Sequence, residues 1–136
     1  MRQELSDKLI QKYPDMFYED SRGEQTPTMH RNIIYCSDGW YDILERLCED
    51  IYAMRPKVMQ IKEKFGGLRF YASLPSDYGE QGWKRIRQAE KEAAETCEIC
   101  GKPGELRIVD GWRATNCDEC HKKHLERYKK STGPVD

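Results

Sequence analysis

Cys97-Glu98-Ile99-Cys100-Gly101 and Cys117-Asp118-Glu119-Cys120, sixteen residues apart, decide how the C-terminal part of this chain is built. Each C-x-x-C pair offers two sulfurs from one tight turn, and four soft ligands are what a tetrahedral zinc ion takes. Gly101 suits the first turn, because the residue just past the second cysteine often needs a left-handed backbone. Between the pairs, residues 106–109 and 112–115 flank Asp110-Gly111, the dipeptide of a tight β-hairpin. Cys120 through Tyr128 then reads as a helix. A knuckle, a hairpin and a helix bearing the second ligand pair follow the order of a treble-clef zinc finger, expected over 97–130. Four thiolates leave no open coordination position. One Zn2+ held by Cys97, Cys100, Cys117 and Cys120 is therefore expected to be structural, with folding of the short segment linked to binding it. His121 or His124 is the alternative ligand in the second pair, and two disulfides are the alternative for the four thiols. A treble clef also invites comparison with nucleases of the His-Me type, but the hairpin ends Trp112-Arg113-Ala114-Thr115-Asn116 and supplies no histidine as general base.

Upstream of the finger, the periodicity changes twice. Leu5, Leu9, Ile10 and Tyr13 share one face of a helix over 2–13, which Pro14 discourages from continuing. Asp20-Ser21-Arg22-Gly23 and Thr26-Pro27 are loop signals, and residues 32–36 suit a short strand. Trp40, Ile43, Leu44, Leu47, Cys48 and Ile51 trace the stripe of a second helix, with Ser37 or Asp38 as its cap and Pro56 beyond its end. From Lys57 the period becomes two. Met59, Ile61 and Phe65, then Leu68, Phe70 and Ala72, alternate with polar residues around Gly66-Gly67, predicting a hairpin that turns at the two glycines. Ile61, Phe65, Leu68 and Phe70 are its expected core face. A third helix is predicted over 83–96, with Trp83, Ile86, Ala89 and Ala93 near one face.

The expected fold is thus α+β: a core of amphipathic helices around a central β-hairpin over 1–96, the finger over 97–130, and a frayed tail over 131–136. The chain has 136 residues, 38% apolar and 35% charged, with mean hydropathy −0.92. That is enough for one economical core with an appended module. No stretch approaches the ~20 apolar residues of a membrane span. Met1-Arg2-Gln3-Glu4-Leu5 does not read as the start of a signal peptide, and paired cysteines in such a context favour metal over bridges, so a cytoplasmic location is expected. Net charge is −1 but unevenly placed: −5 over residues 1–54, +4 over 55–71, −1 over 72–96 and +1 over 97–136.

The finger, CEICGKPGELRIVDGWRATNCDEC, resembles in spacing the four-cysteine fingers of DksA/TraR-type transcription regulators. The long coiled-coil hairpin that defines those regulators has no room before it, so their mechanism is not implied. Over residues from about 36 to 124 the chain is similar to a group of small uncharacterised proteins of bacteria and phages. Cys36-Ser37-Asp38-Gly39-Trp40, Lys62-Glu63-Lys64-Phe65-Gly66-Gly67-Leu68-Arg69-Phe70-Tyr71 and the finger carry that resemblance. It implies a fold and zinc rather than an activity.

Two function classes remain, with an enzyme at low weight for want of an acid/base or nucleophile constellation. The leading expectation is a non-catalytic zinc-binding protein that acts on a protein partner; the phage resemblance adds the context of a factor modulating a host protein in the host cytoplasm. The alternative is a nucleic-acid-binding zinc-finger protein. Lys57, Lys62, Lys64 and Arg69 would neutralise phosphate while Phe65 or Tyr71 stacks on bases, joined by Lys122, Lys123 and Arg127 of the helix over 121–130. An ordinary amphipathic hairpin distributes charge in the same way, and late positive charges also complement a helix dipole. Gly66-Gly67 lacks the context of a phosphate-binding loop. Cys36 and Cys48 read as small core residues apart from the zinc, their pairing undecided by sequence; a Cys36–His30 nucleophile is conceivable, but nothing flanking it activates a thiolate. Asp38 reads as a cap rather than a catalytic acid.

Overall fold

The computed structural model describes residues 1–17 and 34–132. The loop signals between Asp20 and Pro27, His30, and the tail beyond 132 lie outside the described residues. The order is α1 (Gln3–Lys12), α2 (Pro14–Phe17), β1 (Ile34–Tyr35), α3 (Tyr41–Ile51), β2 (Lys57–Lys64), β3 (Gly67–Ser73), α4 (Gly79–Ala93), β4 (Glu105–Val109), β5 (Trp112–Asn116) and α5 (Asp118–Thr132). Helices and two small sheets make the α+β class. Among the described residues, no helix is long and apolar enough to cross a membrane.

The first sheet has the order β1-β2-β3, with β1 parallel and β3 antiparallel to β2. Its inner face buries Ile34, Val58, Ile61, Leu68, Phe70 and Ala72. Against it lie Met16 and Phe17 of α2, the stripe Ile43, Leu44, Leu47, Cys48 and Ile51 of α3, and Ile86, Ala89 and Ala93 of α4. Helices α3 and α4 are clipped by Arg46–Glu92 (2.5 Å) and Arg85–Asp50 (2.6 Å). Strand β3 is an edge of this sheet, and the Glu90 carboxylate of α4 accepts the Phe70 N–H at 3.1 Å. The edge is thereby partly satisfied by a side chain.

Several local expectations are corrected. Pro14 opens α2, where its missing N–H costs nothing, besides ending α1. Residues 38–40 form a 3-10 turn before α3 with no side-chain cap. Asp38 instead accepts the Arg2 N–H at 2.7 Å and Nε at 2.6 Å, and the backbone donor chiefly holds its carboxyl below the usual range. The central hairpin turns at Phe65-Gly66, with φ of 55° and 85°, and Gly67 begins β3. Phe65 therefore lies outside the core, 66% exposed. A register irregularity between Val58 and Gln60 puts Val58 inside and Met59 outside. An inserted strand residue flips the alternation, which a strict period of two cannot anticipate. Helix α4 begins at Gly79 and turns Gly82, Ile86, Ala89 and Ala93 inward, leaving Trp83 39% exposed.

Candidate metal centre and binding face

The C-terminal elements gather the four cysteines. Residues 97–101 form a turn in which Gly101 has φ 82° and donates its N–H to the Cys97 carbonyl at 2.9 Å. Strands β4 and β5 pair around Asp110-Gly111, φ 50° and 82°, and α5 starts immediately after Cys117, with Cys120 in its first turn. The four sulfurs all lie within 4.8 Å of one another, and Cys100 Sγ is 3.6 Å from Cys117 Sγ. A disulfide needs ~2.05 Å. A tetrahedral ion bonded to sulfur at ~2.3 Å needs edges of ~3.8 Å. The donor set therefore fits a metal ion and not bridges, and all six cysteines are free of disulfides. The Cys120 N–H donates to Cys117 Sγ (3.4 Å) and is the main cause that holds that thiol below its ordinary value, while burial pushes the neighbouring Cys100 and Cys120 thiols up.

The motif 36–40 clamps this centre to the core. Gly39 N–H donates to the Glu98 carbonyl (2.6 Å), Trp40 Nε1 to the Thr96 carbonyl (2.9 Å), and Ser37 N–H to Glu98 Oε2 (3.1 Å). A Cβ on Gly39 would lie 2.2 Å from the Cys97 carbonyl oxygen. Only glycine permits this approach. A second attachment joins the turn of the central hairpin to the end of β5 away from its own turn: Thr115 Oγ1 donates to the Gly66 carbonyl at 2.7 Å, in a buried setting. Between them is a cleft of ≈ 310 Å³ lined by Glu63, Glu98, Trp112, His124 and Arg127, among others. Burial pushes the Glu98 carboxyl up. Sequence reasoning did not find this cleft, because its residues come from five separate segments.

Cys36 and Cys48 stand apart from the metal group. Both are buried and free, and burial pushes each thiol up to about 12, the opposite of nucleophile activation.

The expected basic residues divide. On β2 and β3 the outward positions are Lys57, Gln60, Lys62 and Lys64, paired with Ser73, Tyr71, Arg69 and Gly67. Tyr35 of β1 is the neighbour of Lys62 on its other side, giving a row Tyr35–Lys62–Arg69 across three strands. Glu63, the one acid within β2 and β3, points inward, where its carboxylate accepts the Gly66 N–H at 3.2 Å. Lys62 Nζ lies 5.6 Å from the Tyr71 ring centroid and Lys64 Nζ 5.6 Å from that of Phe65. Among the described residues, Lys62, Lys64 and Arg69 form no ion pair, whereas Lys57 donates to the Asp15 carbonyl at 2.9 Å. Lys122, Lys123 and Arg127 lie on α5; Lys123 is 3.7 Å from Glu119, and Arg127 borders the cleft beside Glu63, across β2 from Lys62. Tyr35 is the residue missed from sequence, its only signal being the short strand over 32–36.

Comparison of the chain with protein-family models, curated proteins and solved structures found no match.

Proposed function

We propose that this chain is a non-catalytic nucleic-acid-binding protein whose C-terminal module is a treble-clef finger held by one structural Zn2+. The observation that carries the binding reading is the row Tyr35–Lys62–Arg69 with Tyr71 beside it, cations and rings on an outward sheet face whose strands turn their one acid inward. Backbone phosphates supply most nucleic-acid affinity through such cations. Zinc is supported by four cysteine sulfurs within 4.8 Å of one another, the soft donor set that zinc takes. The treble-clef assignment is supported by the order knuckle, β4–β5 hairpin, α5. Unbridged thiol ligands suit a reducing compartment, which supports the cytoplasm, or the host cytoplasm for a phage-encoded protein.

The test is a titration of zinc-loaded full chain against labelled DNA and RNA of mixed strandedness at increasing salt. Binding should weaken with salt and be lost in Lys62→Gln/Arg69→Gln. No binding at low salt refutes it.

The protein-partner reading keeps one specific observation. Phe65, Leu106 and Ile108 are 66%, 50% and 60% exposed around the junction of the two hairpins, where a Cβ on Gly66 would touch Leu106. Clustered exposed apolar side chains mark protein contacts, here a host protein if the phage resemblance sets the context. That reading requires Phe65→Ser/Ile108→Ser to abolish a complex that Lys62→Gln/Arg69→Gln retains.

A further inference from the structure

Resting on the nucleic-acid reading above, we infer that the outer face of β1–β2–β3 is a platform for single-stranded nucleic acid, with Tyr35 and Tyr71 stacking on bases and Lys62 and Arg69 meeting the phosphates between them.

Strandedness follows from the shape of the face. Three strands ~4.8 Å apart make a surface ~10 Å across, and the binding residues lie on it rather than on a projecting helix or ribbon. A duplex is read by an element that enters its ~12 Å major groove. Rings standing out of a sheet instead offer π faces, which only unstacked bases can meet. Tyr35 is 52% exposed and Tyr71 38% exposed. They occupy the two outer strands, and Tyr71 lies opposite Gln60, two residues along β2 from the Lys62 row. Two strand spacings and two residue rises separate their backbones by ~12 Å. Successive stacked bases are only ~3.4 Å apart, so one strand touching both rings must be splayed.

Lys62 lies between the two tyrosines in this lattice, and its ammonium already sits 5.6 Å from the Tyr71 centroid. A phosphate linking the two splayed bases would pass over Lys62, with Arg69 next in the row. The charge on the face matches a polyanion. Amide and small hydroxyl side chains that could read base edges are sparse among the outward pairs of β2–β3, Gln60 and Ser73 being two, and with the cations spent on phosphate, recognition should tolerate sequence.

The experiment uses the zinc-loaded full chain and fluorescence anisotropy with labelled oligo-dT and oligo-U of about ten nucleotides, within the ~4–16 that small single-strand platforms cover. A duplex of the same length is the comparison. Single strands should bind in preference to duplex. With Lys62, Lys64 and Arg69 neutralising three phosphates, affinity should fall about 20-fold between 50 and 200 mM salt. Tyr35→Ala and Tyr71→Ala should each lose about fivefold to a hundredfold, and Tyr35→Phe should retain the ring's contribution. Both tyrosines are surface residues, and circular dichroism of each variant checks the fold. If duplex binds as well as single strands and the alanine variants are silent, the platform is wrong while the nucleic-acid reading stands. If binding survives in Tyr35→Ala/Tyr71→Ala/Lys62→Gln but is lost in Lys122→Gln/Arg127→Gln, the site lies on α5 and the platform is also wrong. If neither form binds at 50 mM salt, both readings fall.

Discussion

Gly39→Ala tests how the metal module is attached. The new Cβ would sit 2.2 Å from the Cys97 carbonyl oxygen and 2.5 Å from that of Glu98, where ordinary contact begins at 3.4 Å. Both neighbours are backbone, so relief requires the knuckle to withdraw by about 1.2 Å. Such a shift stretches the 2.6 Å Gly39–Glu98 bond out of hydrogen-bond range, and the Trp40–Thr96 and Ser37–Glu98 bonds with it. Three bonds at ~0.5–1.5 kcal/mol each amount to ~2–4 kcal/mol, and the smaller unfolded-state entropy of alanine returns ~0.4–1. A net loss of ~1–3 kcal/mol is expected in urea unfolding at fixed metal concentration, with a parallel loss of metal affinity in a chelator competition. Gly79→Ala is the matched control: its Cβ meets nothing within 4 Å at the start of α4, so it should be neutral or slightly stabilising. Wild-type stability and metal affinity in Gly39→Ala would refute the attachment.

The metal itself is tested by Cys97→Ser, which should bind no zinc and lose the α5 helical signal, whereas the wild type should release one equivalent to a thiol-reactive mercurial; full metal in the variant would exclude Cys97 as a ligand. Alkaline stability reports Cys36 and Cys48, which enter the folded state neutral with thiols raised from 9.0 to about 12. Their contribution is complete below 9 and is lost as pH climbs toward 12, about 1.4 kcal/mol per pH unit for each thiol; Cys48→Ala should flatten that slope by one such increment in pH-dependent urea melts. Phe65 holds φ 55° with an exposed ring, so Phe65→Asn should stabilise by up to ~1 kcal/mol, and a loss of stability would show that the ring packs. Phe70→Ala, 1% exposed on the strand that packs against α4, should cost ~3–5 kcal/mol in the same melts.

What sequence reveals here depends on how local the determining interaction is. The two C-x-x-C pairs, whose sulfurs gather, and the Asp110-Gly111 turn were legible because each depends on spacing within a few residues. The α3 stripe was legible because a helix repeats its period against one surface. The register of β2 was not, since the irregularity near Met59 and the choice of Phe65-Gly66 over Gly66-Gly67 for the turn depend on partners across the sheet. Tyr35 was harder still. Its strand has two residues, and its value comes from parallel pairing with β2, which no local pattern announces. The role of Gly39 was likewise invisible, because it is set by carbonyls almost sixty residues away.

Those long-range contacts explain how a module without a core of its own holds a fixed orientation. Among the described side chains, the buried cluster ends at Ala93 and takes none from residues 97–129. Apolar burial, which is non-directional, therefore cannot aim the finger. Directional bonds can. One set joins residues 37–40 to the knuckle, and another joins Thr115 to the Gly66 carbonyl, where Leu106 also packs against the glycine. Two attachments on different segments resist rotation that a single one would allow. The second sits on the turn that connects Lys64 to Gly67, beside the outward row of β2 and β3. The four cysteines gather within the C-terminal module itself, the knuckle bonds fix its position, and the turn at Gly66 ties its orientation to the strands that carry Lys62 and Arg69.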